Sequence, residues 1–178
     1  MPSAKAHDAI TFMLAAPAAA AAYAWSGRIS SAVIVGAAFL FGGLMFGPDL
    51  DTGSRQYSRW AFVRFLWFPY RSFFSHRSRF THGLIFGALI RVFYFAGILT
   101  LVVFVTAYAW AVYAGGRLPG LDSIPAVWRP ISAFVEARLG GHTFYLLSFV
   151  GIWLGAASHT FTDVAGTFIK TGRVSKML

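Results

Sequence analysis

The sequence contains no cysteine and only six acidic residues among 178. The missing cysteine excludes disulfides, thiolate zinc sites and cysteine nucleophiles together. Charge of either sign is scarce: Asp, Glu, Lys and Arg make up 12%, against about 25% in a soluble domain. A soluble chain this short buries too small a fraction of its surface to hide the apolar remainder. What charge there is leans basic, with a net +9. No recognised nucleic-acid motif accompanies it, so nucleic acid is not an expected partner. Cytoplasmic loops rich in Lys and Arg, facing anionic lipid headgroups, account for the excess.

What is abundant is apolar. Hydrophobic residues reach 57% and the mean hydropathy is +0.63. Long apolar stretches predict spans at about 9–25, 29–47, 92–114 and 143–163, each near the roughly 20 residues a bilayer requires. Pro17 falls inside the first, where a bundle tolerates it. Gly36, Gly42 and Gly43 in the second allow a neighbouring helix close. Lys5 and the first apolar run resemble a signal peptide, but Asp8 and the immediate second stretch argue for an uncleaved span.

Between spans two and three, the loop 48–82 mixes arginines with Trp60, Phe62, Phe65, Trp67, Phe68, Tyr70, Phe73 and Phe74. Arg64 and Arg71 share a helical face, which predicts an interfacial amphipathic helix lying in the headgroup layer of the lipid bilayer. The segment 117–142, with Pro119, Pro125 and Pro130, reads as an outer loop. The expected fold class is therefore all-α: a single membrane-embedded domain, 1–178, with four transmembrane helices plus the interfacial helix. The N-terminal side of the spans carries ten Lys and Arg and the other side four, with Arg91 set aside. That places both termini in the cytoplasm of a bacterial inner membrane.

On this topology the rare polar residues converge. His7 and Asp8 open span one, Asp49 and Asp51 follow span two, His76 and His82 precede span three, and His159 and Asp163 end span four. All are on one face. Ionisable groups beside apolar helices are expensive and mark function. His159 and Asp163 stand at i and i+4, on one side of a helix. Histidine nitrogen with carboxylate oxygen suits a divalent metal, with zinc favoured and manganese or iron as alternatives. Eight ligands exceed one tetrahedral shell, so two ions, or one ion with carboxylates orienting the histidines, fit the count. Taken singly, Asp8 also reads as a helix N-cap. Arg77, Arg79 and Arg91 read as partners for phosphate or carboxylate, and His142, on the other face, as incidental.

These motifs form a set: His7-Asp8, the run Phe41 to Asp51 with its Gly-Pro-Asp-Leu-Asp end, His76-Arg77-Ser78-Arg79-Phe80-Thr81-His82-Gly83, and Ser158-His159-Thr160-Phe161-Thr162-Asp163. The set resembles a bacterial family of uncharacterised metal-binding integral membrane proteins, over nearly the whole chain. More distantly it is similar to the LexA-regulated membrane-bound metal-dependent hydrolases and, through them, to zinc-dependent phospholipase C. It departs from those hydrolases at Ser78, where they carry glycine. The resemblance implies hydrolysis of a phosphoester or lipid at the cytoplasmic surface. His7, Asp8, Asp49, Asp51, His76, His82, His159 and Asp163 would then hold metal, and Arg77 and Arg79 would hold phosphate. A metal-binding protein without catalysis, as sensor or structural partner, and a divalent-metal transporter are the alternatives. No catalytic residue and no oligomeric state are assigned.

Overall fold

A computed structural model describes residues 3–74, 78–83 and 86–172, with the backbone alone at 79, 80 and 127. His76 and Arg77 lie outside the described residues. Those described form helices and turns, with no strand among them.

Helix α1 runs Ala4–Ser26 and begins where the Ser3 hydroxyl accepts the Ala6 N–H at 3.3 Å. Ser3, not Asp8, is therefore the cap. Gly27 ends the helix at φ 66°, in the left-handed region that glycine tolerates best. Helix α2, Ile29–Leu44, returns against α1. Helix α6 runs Phe86–Tyr113 and α8 His142–Thr171. With the turn that follows α2, these make four segments long and apolar enough to cross a membrane.

The loop after α2 differs from expectation. It is not one amphipathic helix but a chain of short pieces. A 3-10 turn covers Pro48–Asp51, α3 covers Arg55–Ser58, a second 3-10 segment covers Ala61–Trp67, α4 covers Phe68–Phe73 and α5 covers Arg79–His82. Local chemistry explains the breaks. Ser54 starts α3 by accepting the Tyr57 N–H, Ala61 turns to φ 47°, and Pro69 opens α4. The aromatics split as well. Phe62 and Phe73 are 86% and 83% exposed, but Trp60, Trp67, Tyr70 and Phe46 are buried in one cluster. Ring centroids lie 5.2 Å apart for Trp60–Trp67 and 5.7 Å for Trp67–Tyr70, in edge-to-face geometry. Three of the eight aromatics expected in the headgroup layer thus pack with Phe46 into a core under the loop.

Backbone contacts divide the chain into two compact units: residues up to 91 with those from 145 on, and residues 92–144. In the first, α2 and α8 approach through glycine. A Cβ on Gly42 would strike the Ile152 backbone, and one on Gly155 would strike that of Phe39. Such contact through small residues is how helices associate where lipid removes the hydrophobic drive. In the second unit, the expected outer loop contains helix α7, Ile124–Arg138. Pro125 lies in its first turn, where the missing N–H is not needed. The Trp128 indole donates to Thr100 Oγ1 at 2.8 Å.

Candidate metal centre

The polar residues are brought together by four features of the first unit: the start of α1, the second half of α8, α5, and the turn after α2. His7 is in the first turn of α1, and Thr11 Oγ1 donates to its carbonyl at 2.9 Å. The glycine-lined contact of α8 with α2 carries His159 and Asp163 to the same place. Pro48–Asp51 supplies the remaining carboxylates.

His7 and His159 stack, with ring centroids 3.9 Å apart and planes 14° from parallel. His7 Nε2 is 3.2 Å from Asp163 Oδ1, and His159 Nε2 is 3.3 Å from Asp49 Oδ2 and 3.8 Å from Asp163 Oδ2. Ligand atoms of His7, His159 and Asp163 all lie within 4.8 Å of one another. Asp49 turns its other oxygen, Oδ1, to His82 Nε2 at 3.5 Å, and His82 Nδ1 is 3.9 Å from Asp51 Oδ2. One carboxylate therefore faces two histidine groups.

Residues 2–173 match the DUF2227 family of uncharacterized metal-binding proteins. The chain belongs to that family. A protein of Aquifex aeolicus (strain VF5), described only as uncharacterized, is 42% identical over 60 residues. That stretch is 33% of this chain and 42% of the relative, so the match spans less than half of either. No solved structure matches.

The geometry of this DUF2227 chain fits a metal on two counts. The donors are imidazole nitrogens and carboxylate oxygens, the set that zinc, manganese and iron accept. Moreover, among the described residues His159 Nε2, Asp163 Oδ1 and His7 Nδ1 are buried without a partner in hydrogen-bonding geometry. Buried polar atoms are nearly always satisfied, and an ion is one thing that satisfies them.

Several residues around the site had no motif to announce them. Gln56, 4% exposed, donates from Nε2 to the Gly43 carbonyl at 2.7 Å and accepts the Asp49 N–H on Oε1 at 3.1 Å. These two bonds fix the orientation of the amide, which aims its NH₂ at His159 Nδ1, 3.2 Å away. An N–H donated there leaves the His159 proton on Nε2, toward the carboxylates, a tautomer that ligation through Nε2 would have to exchange. The available signal was rarity, since Gln56 is the only glutamine in a chain without asparagine. Gly47 leaves the space that the Gln56 side chain fills.

Arg91, just before the expected span 92–114, is expected to partner phosphate or carboxylate. It is 2% exposed and donates to the Thr81 carbonyl at 2.6 Å, with Tyr70, Asp51 and Asp49 acting on its charge. It thus anchors the segment that carries His82 and balances acids near the site. Asp8 departs from the histidines: its Oδ2 meets Arg59 at 2.6 Å and Arg55 at 3.2 Å. His142 is the exposed first residue of α8.

A cavity of about 170 Å³ opens on this constellation, lined by His7, Asp8, Asp49, Arg55, Gln56, Arg59, His159 and Asp163 among others. Its metal-ligating wall is buried, whereas the Asp49 side chain keeps 27% of its exposure.

Proposed function

We propose that this DUF2227 protein is a membrane-embedded, metal-dependent hydrolase acting on a phosphoester, foremost a phospholipid, at the cytoplasmic face. The observation that supports it most is the convergence of His7, His159 and Asp163 beside a cavity reached past the half-open Asp49. His7, His159 and Asp163 would hold one ion, His82 and Asp51 a second, and Asp49 would face both. Zinc is the ion this donor set suits best, with manganese and iron next. A bound divalent ion would supply Lewis acidity at the wall of the cavity. The chain's own contribution is to hold carboxylates close together, to bury the wall they share with His7 and His159, and to orient His159 through Gln56. Arg77 and Arg79 remain proposed phosphate partners on sequence grounds.

The lipid reading has a further support. An apolar groove of about 520 Å³, lined by Ile10, Leu14, Pro17, Phe39, Leu154 and Phe161 among others, is built from the helices that carry His7 and His159. It suits an acyl chain.

A metal-binding protein without catalysis is the second reading. The burial of His7, His159 and Asp163 favours it, because structural sites are closed by protein ligands. Transport of a divalent metal fits less well, since His7 lies in the first turn of α1 rather than near the middle of a span.

Elemental mass spectrometry of the detergent-purified protein, beside an Asp49→Ala/His159→Ala double variant, tests the reading. Stoichiometric metal that the variant loses, together with metal-dependent release of phosphate or headgroup, supports it. Metal without turnover of any phosphoester in the screen leaves the structural reading. No metal after purification without chelator and with metal supplied rejects both.

A further inference from the structure

The cavity has two chemically opposite ends. Its depth is acidic and metal-ligating, through Asp49 and Asp163. Its rim is basic, through Arg55 and Arg59, and the carboxylate of Asp8 lies between these two guanidinium groups.

The two arginines are not equivalent. Arg59 is committed: NH1 donates to the Leu44 carbonyl at 2.7 Å and NH2 to Asp8 at 2.6 Å. It closes the C-terminal end of α2, where a cation is favoured. Among the described residues, Arg55 makes one longer contact, NH1 to Asp8 at 3.2 Å, and its side chain is 54% exposed. A guanidinium offers five N–H donors in a planar fork that matches two oxygens of a phosphate. Arg55 therefore keeps donors in hand at the mouth of the metal-ligating cavity. Asp8 occupies with one oxygen the position an arriving oxyanion would take.

We propose that Arg55, with Arg59 behind it, is the seat for the phosphate group of the ligand, and that Asp8 is an internal stand-in which the phosphate displaces. The choice of phosphate as the anion rests on the hydrolase reading above. The seat itself rests on the arginine geometry, and it adds to Arg77 and Arg79. The phosphate belongs either to a lipid headgroup or to a soluble monoester.

The test uses the full chain, metal-supplied, in lipid nanodiscs. Binding of inorganic phosphate and of glycerol phosphate is followed by calorimetry. In a second arm, nanodiscs doped with phosphatidic acid replace the neutral ones, and phosphorus NMR reports the bound headgroup. Metal content and phosphoester turnover are measured separately on every sample, so failure of the hydrolase reading is seen on its own.

Arg55→Ala is expected to weaken phosphate binding about tenfold, the loss of one charge-assisted contact. Arg55→Lys restores part of it, because the charge returns without the fork. Asp8→Asn is expected to tighten binding several-fold, since the competing charge is gone. That sign separates the proposal from a structural role, in which Asp8→Asn would loosen the arginines and weaken binding. Stronger dependence on Arg55 with phosphatidic acid than with the soluble phosphates assigns the lipid source, and equal dependence assigns the soluble one. Unchanged binding in Arg55→Ala, or weaker binding in Asp8→Asn with metal retained, overturns the seat.

Discussion

His7 and His159 stack face to face, 3.9 Å between ring centres, although one is in the first turn of the first helix and the other in the last helix. The stack brings two imidazoles to one carboxylate, Asp163, and so makes a ligand group out of residues from distant parts of the chain.

Replacement of any member should empty the site. His7→Ala, His159→Ala and Asp163→Asn are each expected to lower metal affinity by at least tenfold, read as metal retained after dialysis against a weak chelator. Full retention in Asp163→Asn would remove that residue from the ligand set.

Gln56 gives a sharper test. Ligation through His159 Nε2 requires the proton on Nδ1, where the Gln56 amide now presents N–H. Gln56→Leu removes that opposing N–H and should leave metal binding unchanged or tighten it. Gln56→Glu should tighten it further, because its carboxylate accepts the Nδ1 proton. If the glutamate variant binds metal more weakly than the leucine variant, His159 does not ligate through Nε2.

The close helix contact should be as sensitive as the ligands. Gly155→Val drives a side chain into the backbone of Phe39. Overpacking of this kind destabilises by roughly 1–3 kcal/mol or more. The melting temperature in detergent should fall, and metal should be lost along with it although no ligand has changed. A variant with wild-type melting and wild-type metal content would show that α8 does not depend on this contact for its place.

Arg91→Ala leaves the Thr81 carbonyl and nearby buried acids without their cation. Leaving a buried acceptor without its charged donor costs about 1–3 kcal/mol or more. Arg91→Lys should not rescue it fully, since the ammonium lacks the planar fork. Denaturant unfolding measures the first effect, and limited proteolysis near His82 reports local release.

Stability should follow metal. An ion that binds only the folded chain adds about 4 kcal/mol at a thousand times its Kd. Chelation should therefore lower the melting temperature. A melting temperature indifferent to chelator would indicate that the fold does not bind the ion.

Much of the site was legible because a nearly uncharged apolar chain makes its few acids and histidines conspicuous. Topology alone then sends His7, Asp49, Asp51, His82, His159 and Asp163 to one end of the helices. Asp8 was grouped with them by sequence adjacency, but neighbouring helix positions point about 100° apart, and its carboxylate finds arginines instead. Arg55 and Gln56 gave no motif, because their partners are in distant segments or are backbone carbonyls. The interfacial helix was inferred from aromatic and arginine composition, which does not distinguish a side chain facing lipid from one facing Trp67.

The sequence by itself determined the class: helices set by apolar length, and a metal-ligating chemistry set by residue type and by the scarcity of other charges. Tertiary structure decided which of those residues meet. Side-chain partners at 3–4 Å depend on helix rotation and on the glycine contacts of α2 with α8, and neither is written in local pattern. Packing therefore sent Asp8 to Arg59, Arg91 to Thr81 and Gln56 to His159.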